Sequence, residues 1–255
     1  MDNRVARHYR NIDEMGQKLD SATEFEVTLV EIDILLREAE TPGEDEDRLA
    51  VMNKSALLLL SGKFESFLEA AAEEYVYAVN QLGARARDVP HRLLVQHSVT
   101  AVDGLADRLS QGDTESVGAV FVKLARLWAE SERCSGLSVK CEFSYGRHGQ
   151  TEIEKLLRRI GFDNIFSAVT ILDEATESFD GVGSQMIDVA GEINSMTSIR
   201  NNILHQNASP SLTASSIRNR ADVLRRFAVQ LVALLQGSVN RIEQVCRRAE
   251  VENAG

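Results

Sequence analysis

Three side chains close to residue 200 have the types and spacing that acid–base chemistry on an anion requires. Arg200 is followed directly by Asn201, and His205 stands five positions after the arginine. An imidazole exchanges protons near neutral pH, and a guanidinium binds a pair of anionic oxygens through two parallel hydrogen bonds. The asparagine amide offers both a donor and an acceptor to orient either group. The trio therefore predicts a site that moves a proton beside a stabilised negative charge.

The trio is expected near the end of a helix. Residues 206–210 read Gln-Asn-Ala-Ser-Pro, which stops a helix and leaves His205 in the last turn, where the helix dipole favours imidazolium. At 100° per residue Asn201 and His205 share a face, whereas Arg200 lies about 140° from His205. One ideal helix therefore does not aim Arg200 and His205 at one atom. Either the helix end or a second copy of the chain has to bring them together.

Arg200 also lies near the centre of an apolar stripe, where a charged group needs a partner or a solvated edge. The stripe consists of Met186, Val189, Ile193, Met196, Ile203 and Leu204. Glu65, in an otherwise apolar stretch, is expected either to neutralise one of the arginines or to face the site.

The composition indicates an all-α protein. Aromatic residues make up only 5% of the 255 residues, and the three prolines stand between periodic segments. The length suits one domain. No apolar run approaches the length of a membrane span, the N-terminus has no apolar signal region, and the three cysteines are widely spaced. These features predict a cytoplasmic protein with reduced thiols.

The charge is distributed unevenly along the chain. The net charge is −11, yet residues 200–248 hold eight arginines and only two acidic residues, which gives this segment +6 and leaves −17 on the rest. Two interpretations are open. The arginines form a local site for a polyanion, or acidic helices elsewhere in the fold or in a partner subunit neutralise them.

Helical periodicity predicts the main elements. The strongest pattern is a long stripe from Met52 to Val79, and a second long helix covers about 213–249. Further helices are predicted at about 164–176 and 185–205, and a short strand or extended loop at 139–145. Residues 1–45 are interpreted as an N-terminal helical extension and residues 84–150 as an insertion.

Two of these segments resemble the HEPN superfamily. Residues 200–205 match its motif of an arginine, a polar residue, three further residues and a histidine, and they precede a long final helix. Residues 54–68, an apolar run that continues into Phe64 and Glu65, resemble the long early helix of the RiboL-PSP-HEPN group. The resemblance implies a HEPN-like bundle of four to five core helices within one domain that spans residues 1–255.

The resemblance also implies an activity, metal-independent cleavage of RNA. The ribose 2′-hydroxyl attacks the adjacent phosphorus and leaves a 2′,3′-cyclic phosphate, and such proteins often serve as toxins or defence effectors. Two protomers place their motifs side by side, so a homodimer with a composite site is expected. The alternative is a non-catalytic RNA-binding or protein-interaction module that works with a separately encoded partner. An antitoxin or RNA-repair protein is an expected partner, and a membrane is not.

The implied site roles are specific. Arg200, Asn201 and His205 are the catalytic residues, Glu65 supports them, and neither a metal nor another cofactor is expected. The predicted substrate-binding residues are Asn202, Asn207 and Arg218. Cys134, Cys141 and His148 are spaced too widely to favour a zinc site.

Overall fold

Helices dominate the computed structural model, which describes residues 19–40, 45–129, 133–143, 149–172, 186–206 and 211–254. The α-helices are α1 (Ser21–Ala39), α2 (Glu46–Leu82), α3 (His91–Val102), α4 (Leu105–Ser110), α5 (Thr114–Trp128), α6 (Gln150–Arg159), α7 (Ile165–Ala168), α8 (Val189–Gln206) and α9 (Ala214–Ala254). A 3₁₀ turn covers Ala86–Asp88. Within the described ranges the only β-type pairs are two isolated bridges. The prediction of an all-α protein is confirmed.

The core is built where α1, α2 and α9 pack side by side. α2 and α9 run in the same direction, because Asn53 donates to the Leu212 carbonyl at 2.9 Å near their starts and the Tyr75 hydroxyl lies 3.0 Å from that of Ser238 near their ends. The ring of Phe64 meets that of Phe227 edge-on at 6.0 Å between the two helices. These pairs place the predicted stripe of α2 in the middle of the bundle.

α1 runs against α2 in the opposite direction and contributes core residues. The Phe25 ring stacks on Phe67 at 5.2 Å, and Ile32 and Leu36 are buried. Its N-terminus is capped by another helix, since a carboxylate oxygen of Glu74 accepts from the backbone N–H of Ser21 at 3.1 Å and from that of Asp20. The helix that the sequence assigned to an N-terminal extension is therefore integrated into the core.

An extended segment, residues 133–143, lies along α2 and is held by side chains. The Asn80 amide donates to the Leu137 carbonyl at 2.9 Å and accepts from the Leu137 N–H at 2.7 Å. Glu69 accepts from the Phe143 N–H at 2.7 Å. Of the two structures predicted at 139–145, the extended loop is found for residues 139–143, and residues 144–145 lie outside the described ranges. Polar side chains satisfy backbone groups that a partner strand would otherwise bind.

The helix predicted at 164–176 is wrong beyond its first turn. α7 ends at Ala168, and Val169 and Ile171 are extended and buried. The run Val-Thr-Ile is β-branched, which disfavours a helix. The Ile187 N–H donates to the Ile171 carbonyl at 2.9 Å, so this strand-like stretch aligns the start of α8. Residues 173–176 lie outside the described ranges.

Across the described ranges, no helix combines the length and apolar character that crossing a membrane requires.

Candidate functional site

The helix that carries the candidate site, α8, is fixed between α2 and α9. Ile193 and Met196 are buried on its inner side and line a small cleft with Phe64 of α2. From α9, Arg220 donates to a carboxylate oxygen of Glu192 at 2.7 Å and to the Ser195 hydroxyl at 3.1 Å. These contacts fix the position and rotation of α8. The predicted trio lies on the C-terminal turns of this helix.

The start of α6 also packs against α8. Asn194 accepts from the Gln150 N–H at 3.0 Å and so caps α6 from a neighbouring helix. A Cβ at Gly149, which has φ +133°, would lie 3.1 Å from the Asn194 amide oxygen. A larger residue would push α6 away from the site-bearing helix. The sequence does not indicate this contact, because its partners are 44 residues apart and neither belongs to a local motif.

Arg200 is half-buried and electrostatically coupled to Glu65 on α2. Burial raises the pKa of Glu65, while the positive charge of Arg200 lowers it. The Ser61 hydroxyl donates to the same carboxyl at 3.4 Å. Glu65 thus supplies a negative charge close to the arginine that interrupts the apolar stripe, which agrees with the first of the two roles expected for it.

His205 lies in the last turn of α8 and is exposed, as is its neighbour Leu204. The described part of α8 reaches Gln206, and the helix stop predicted at 206–210 stays a prediction because residues 207–210 lie outside the described ranges. Asn201 and Asn202 are half-buried. Arg200 is coupled to Glu65 on α2, whereas His205 is exposed to solvent. Asn207, a predicted substrate-binding residue, lies outside the described residues.

Arg218 is engaged within the fold. Its guanidinium holds both oxygens of Glu40 at 2.8 Å, and its Nε lies 3.0 Å from Asp33. These hydrogen bonds lower the pKa of both carboxyls. Arg218 fastens the start of α9 to the end of α1, and a phosphate would have to displace these carboxylates. The substrate contact expected for Arg218 therefore stays a prediction, beside the structural role that these ion pairs show.

Most of the C-terminal arginines are neutralised within the chain. Besides Arg218 and Arg220, acidic partners lie beside Arg225, Arg226 and Arg247. The partners come from α1, α8 and α9 itself. For Arg218, Arg220 and Arg225, acidic partners on other helices agree with the second interpretation of the uneven charge. Arg226 and Arg247 pair with acidic residues of α9 that belong to the same segment.

Two of the cysteines are buried thiols. Burial raises the pKa of Cys134 and of Cys141 to about 11, so both remain protonated at neutral pH. Within the described ranges no cluster of three histidine, cysteine or acidic side chains is arranged to hold a metal ion. His148 lies outside these ranges.

Comparison with known proteins gives a family match that spans most of the chain. The family model for RiboL-PSP-HEPN matches residues 24–237, a range that contains most of α1, all of α2 and α8, and the complete Arg200–His205 motif. No curated protein and no solved structure matches the chain. The matched range exceeds half of the 255 residues and includes the helices that form the core and the candidate site. The chain belongs to the RiboL-PSP-HEPN family.

Proposed function

We propose that this protein is a metal-independent endoribonuclease of the HEPN type, with Arg200, Asn201 and His205 as its catalytic residues. The observation that carries the proposal is the arrangement of these side chains on α8, in a chain that belongs to the RiboL-PSP-HEPN family. His205 is exposed in the last turn of α8, and Arg200 stands about one turn earlier, coupled to Glu65. An exposed imidazole can move a proton, and a guanidinium can stabilise the charge that grows on the phosphate; phosphodiester transfer requires both functions.

In the proposed reaction the ribose 2′ oxygen attacks the adjacent phosphorus. His205 accepts the 2′ proton as the new O–P bond forms, and Arg200 binds the non-bridging oxygens, whose negative charge grows in the transition state. The bond from phosphorus to the 5′ oxygen then breaks, and that oxygen takes the proton that His205 accepted. The products are a 2′,3′-cyclic phosphate and a 5′-hydroxyl. Asn201 shares a face with His205 and orients its ring or the phosphate.

The active form is proposed to be a homodimer. Arg200 lies about 140° from His205 around α8, so Arg200 of one protomer and His205 of the other are proposed to act on the same phosphate. Leu204 is 51% exposed beside the histidine, which suits a residue that a second protomer covers. An assembly through this end of α8 joins the two motifs in one cleft.

Purified protein is incubated with mixed RNA in EDTA, beside Arg200→Ala and His205→Ala. Wild type is expected to cleave and to leave cyclic phosphate ends, identified by mass spectrometry, whereas both variants lose activity and remain dimers in sedimentation. Arg37→Ala and His91→Ala are matched controls, because both residues are exposed and stand on other helices. Equal cleavage by wild type and both site variants would refute the assignment.

A mixture of the two inactive variants tests the composite site separately. Mixed dimers hold an intact Arg200 in one protomer and an intact His205 in the other. Recovery of cleavage after mixing supports a shared site. An active wild type whose variants do not complement would place the site within one chain and overturn the dimer proposal alone.

The biological role proposed is that of a toxin or defence effector restrained by a separately encoded protein. Growth arrest after induction of wild type, and not of His205→Ala, tests this role in cells. RNA binding without cleavage products would instead establish the non-catalytic alternative, in which the chain works beside another enzyme.

A further inference from the structure

The C-terminal half of α9 and several other helices and loops carry a set of arginines that acidic side chains do not fully balance. This arginine surface consists of Arg85, Arg92, Arg133, Arg158, Arg241 and Arg248. Arg85 and Arg133 are joined by an isolated backbone bridge and line a narrow cleft against the end of α9. Arg241 and Arg248 share one face of α9, since they are seven residues apart.

The few carboxylates near this surface leave an excess of positive charge. Arg92 and Arg158 share the single carboxylate of Asp163, at 3.1 and 3.2 Å. Arg133 meets Glu250 at 3.6 Å. No acidic group of the described residues pairs with Arg85, Arg241 or Arg248. On a chain of net charge −11 this local excess is unusual, and it favours a polyanionic partner.

A groove of about 500 Å³ opens beside Arg241 and has an apolar floor. Its lining includes Phe162, Ile165, Leu234 and Val245, so an aromatic ring and aliphatic side chains lie next to the guanidinium. The volume falls in the range of small-ligand sites, roughly 300–1,000 Å³.

One wall of this groove depends on a glycine. A Cβ at Gly161, which has φ +104°, would come within 2.6 Å of the Pro90 Cβ. Only glycine lets these two segments meet and close that side of the groove. Asp88 also lines the groove, and its carboxylate lies 3.9 Å from Arg87.

We propose that the arginine surface and this groove bind single-stranded RNA away from the cleavage site. The arginines bind backbone phosphates, and one unpaired base enters the groove and contacts Phe162. An acidic peptide would use the arginines but would leave the apolar floor and the aromatic ring without a role. The inference rests on the proposed function, because the substrate of that function supplies the RNA.

The two surfaces lie at different levels along α9. Arg200 is coupled to Glu65, and the neighbouring Phe64 packs on Phe227 of α9, so the catalytic motif lies beside the first half of this helix. Arg241 and Arg248 lie about 20 and 30 Å further along α9 than Phe227, at 1.5 Å per residue. A stacked strand that reached both surfaces would need on the order of six nucleotides or more, at 3.4 Å each. The second surface therefore favours long unpaired substrates.

The test uses the full chain with His205→Ala as the parent, so that bound RNA is not consumed. Binding of an unstructured 30-nucleotide RNA is followed by fluorescence anisotropy at several salt concentrations. In the parent, Arg241→Ala with Arg248→Ala is expected to weaken binding about tenfold and to reduce the salt slope by about 1.4, which is the loss of two phosphate contacts. Arg37→Ala with Arg108→Ala removes the same charge elsewhere and is expected to leave binding unchanged.

A third variant separates RNA from other polyanions. Phe162→Leu keeps the groove apolar and is expected to weaken RNA binding without affecting a polyglutamate peptide. The inference is overturned if the parent binds no RNA, if the arginine pair behaves like its control, or if polyglutamate competes equally and Phe162→Leu has no effect. Cleavage is measured independently in wild type. An active enzyme with unchanged binding by the arginine variant defeats this inference and leaves the proposed ribonuclease intact.

Discussion

Arg220 is the side chain whose removal should most directly loosen the helix that carries the catalytic motif. Its side chain is only 19% exposed, and it joins α9 to Glu192 at 2.7 Å and to Ser195 at 3.1 Å. The Glu192 side chain is 41% exposed, so the ion pair is discounted for solvent screening to about 1 kcal/mol. The neutral hydrogen bond to Ser195 adds about 1 kcal/mol. Arg220→Ala is therefore expected to destabilise the protein by about 2 kcal/mol, which lowers Tm by roughly 4–8 °C.

Arg225→Ala is the matched control on the same helix. The Arg225 side chain is 44% exposed, and its closest partner, Asp222, lies on α9 itself, so its loss is expected to change stability by less than about 1 kcal/mol. Arg220→Lys keeps the charge but lacks the planar fork that reaches both partners, and it should lie between wild type and alanine. The assay is thermal unfolding monitored by circular dichroism, with RNA cleavage measured well below Tm. Equal Tm values for Arg220→Ala and Arg225→Ala would refute this account of how α8 is held.

Three further predictions concern the buried polar groups around the bundle. Burial raises the pKa of Glu65, so the folded state keeps a proton that the unfolded state loses, and the stability of the protein falls as pH rises through the raised pKa. The difference in Tm between Glu65→Gln and wild type, in favour of the variant, should therefore grow from pH 4 to pH 7. A constant difference would contradict this. Burial lowers the pKa of His97, whose Nδ1 accepts from the Ser138 N–H at 2.9 Å. The stability that neutral His97 contributes is therefore present above about pH 6.5 and is lost on acidification. The Tm of His97→Gln should decline less than that of wild type between pH 6.5 and 5, and an equal decline would argue against this. Asn80→Ala removes both hydrogen bonds to Leu137 and should cost about 1–3 kcal/mol in chemical denaturation, whereas no loss would show that the extended segment is held by other contacts.

Local periodicity was sufficient to predict the long helices because each of them buries one continuous face. The stripe of α2 lies in the core. The prediction failed for residues 169–172, where β-branched residues and a contact with Ile187 replaced helix. There the competing interaction comes from a segment that a local window does not contain.

The role of Arg218 shows the same limit at the candidate site. In the sequence it is one of eight arginines near the motif. Its partners, Asp33 and Glu40, are 185 and 178 residues away, and no local signal connects them. Charge counting predicted an imbalance, but only the packing of α9 on α1 decided which guanidiniums are neutralised.

The sequence by itself determined the helical class, the order of the long helices and the spacing of Arg200, Asn201 and His205, because these depend on neighbours within a few turns. Tertiary structure decided that Glu65 lies close to Arg200, that Arg220 fixes α8, and that Arg241 lies beside a groove with an apolar floor. Each of these results is an electrostatic or packing relation between helices distant in the chain. Such relations depend on which faces meet, and only the folded arrangement specifies that.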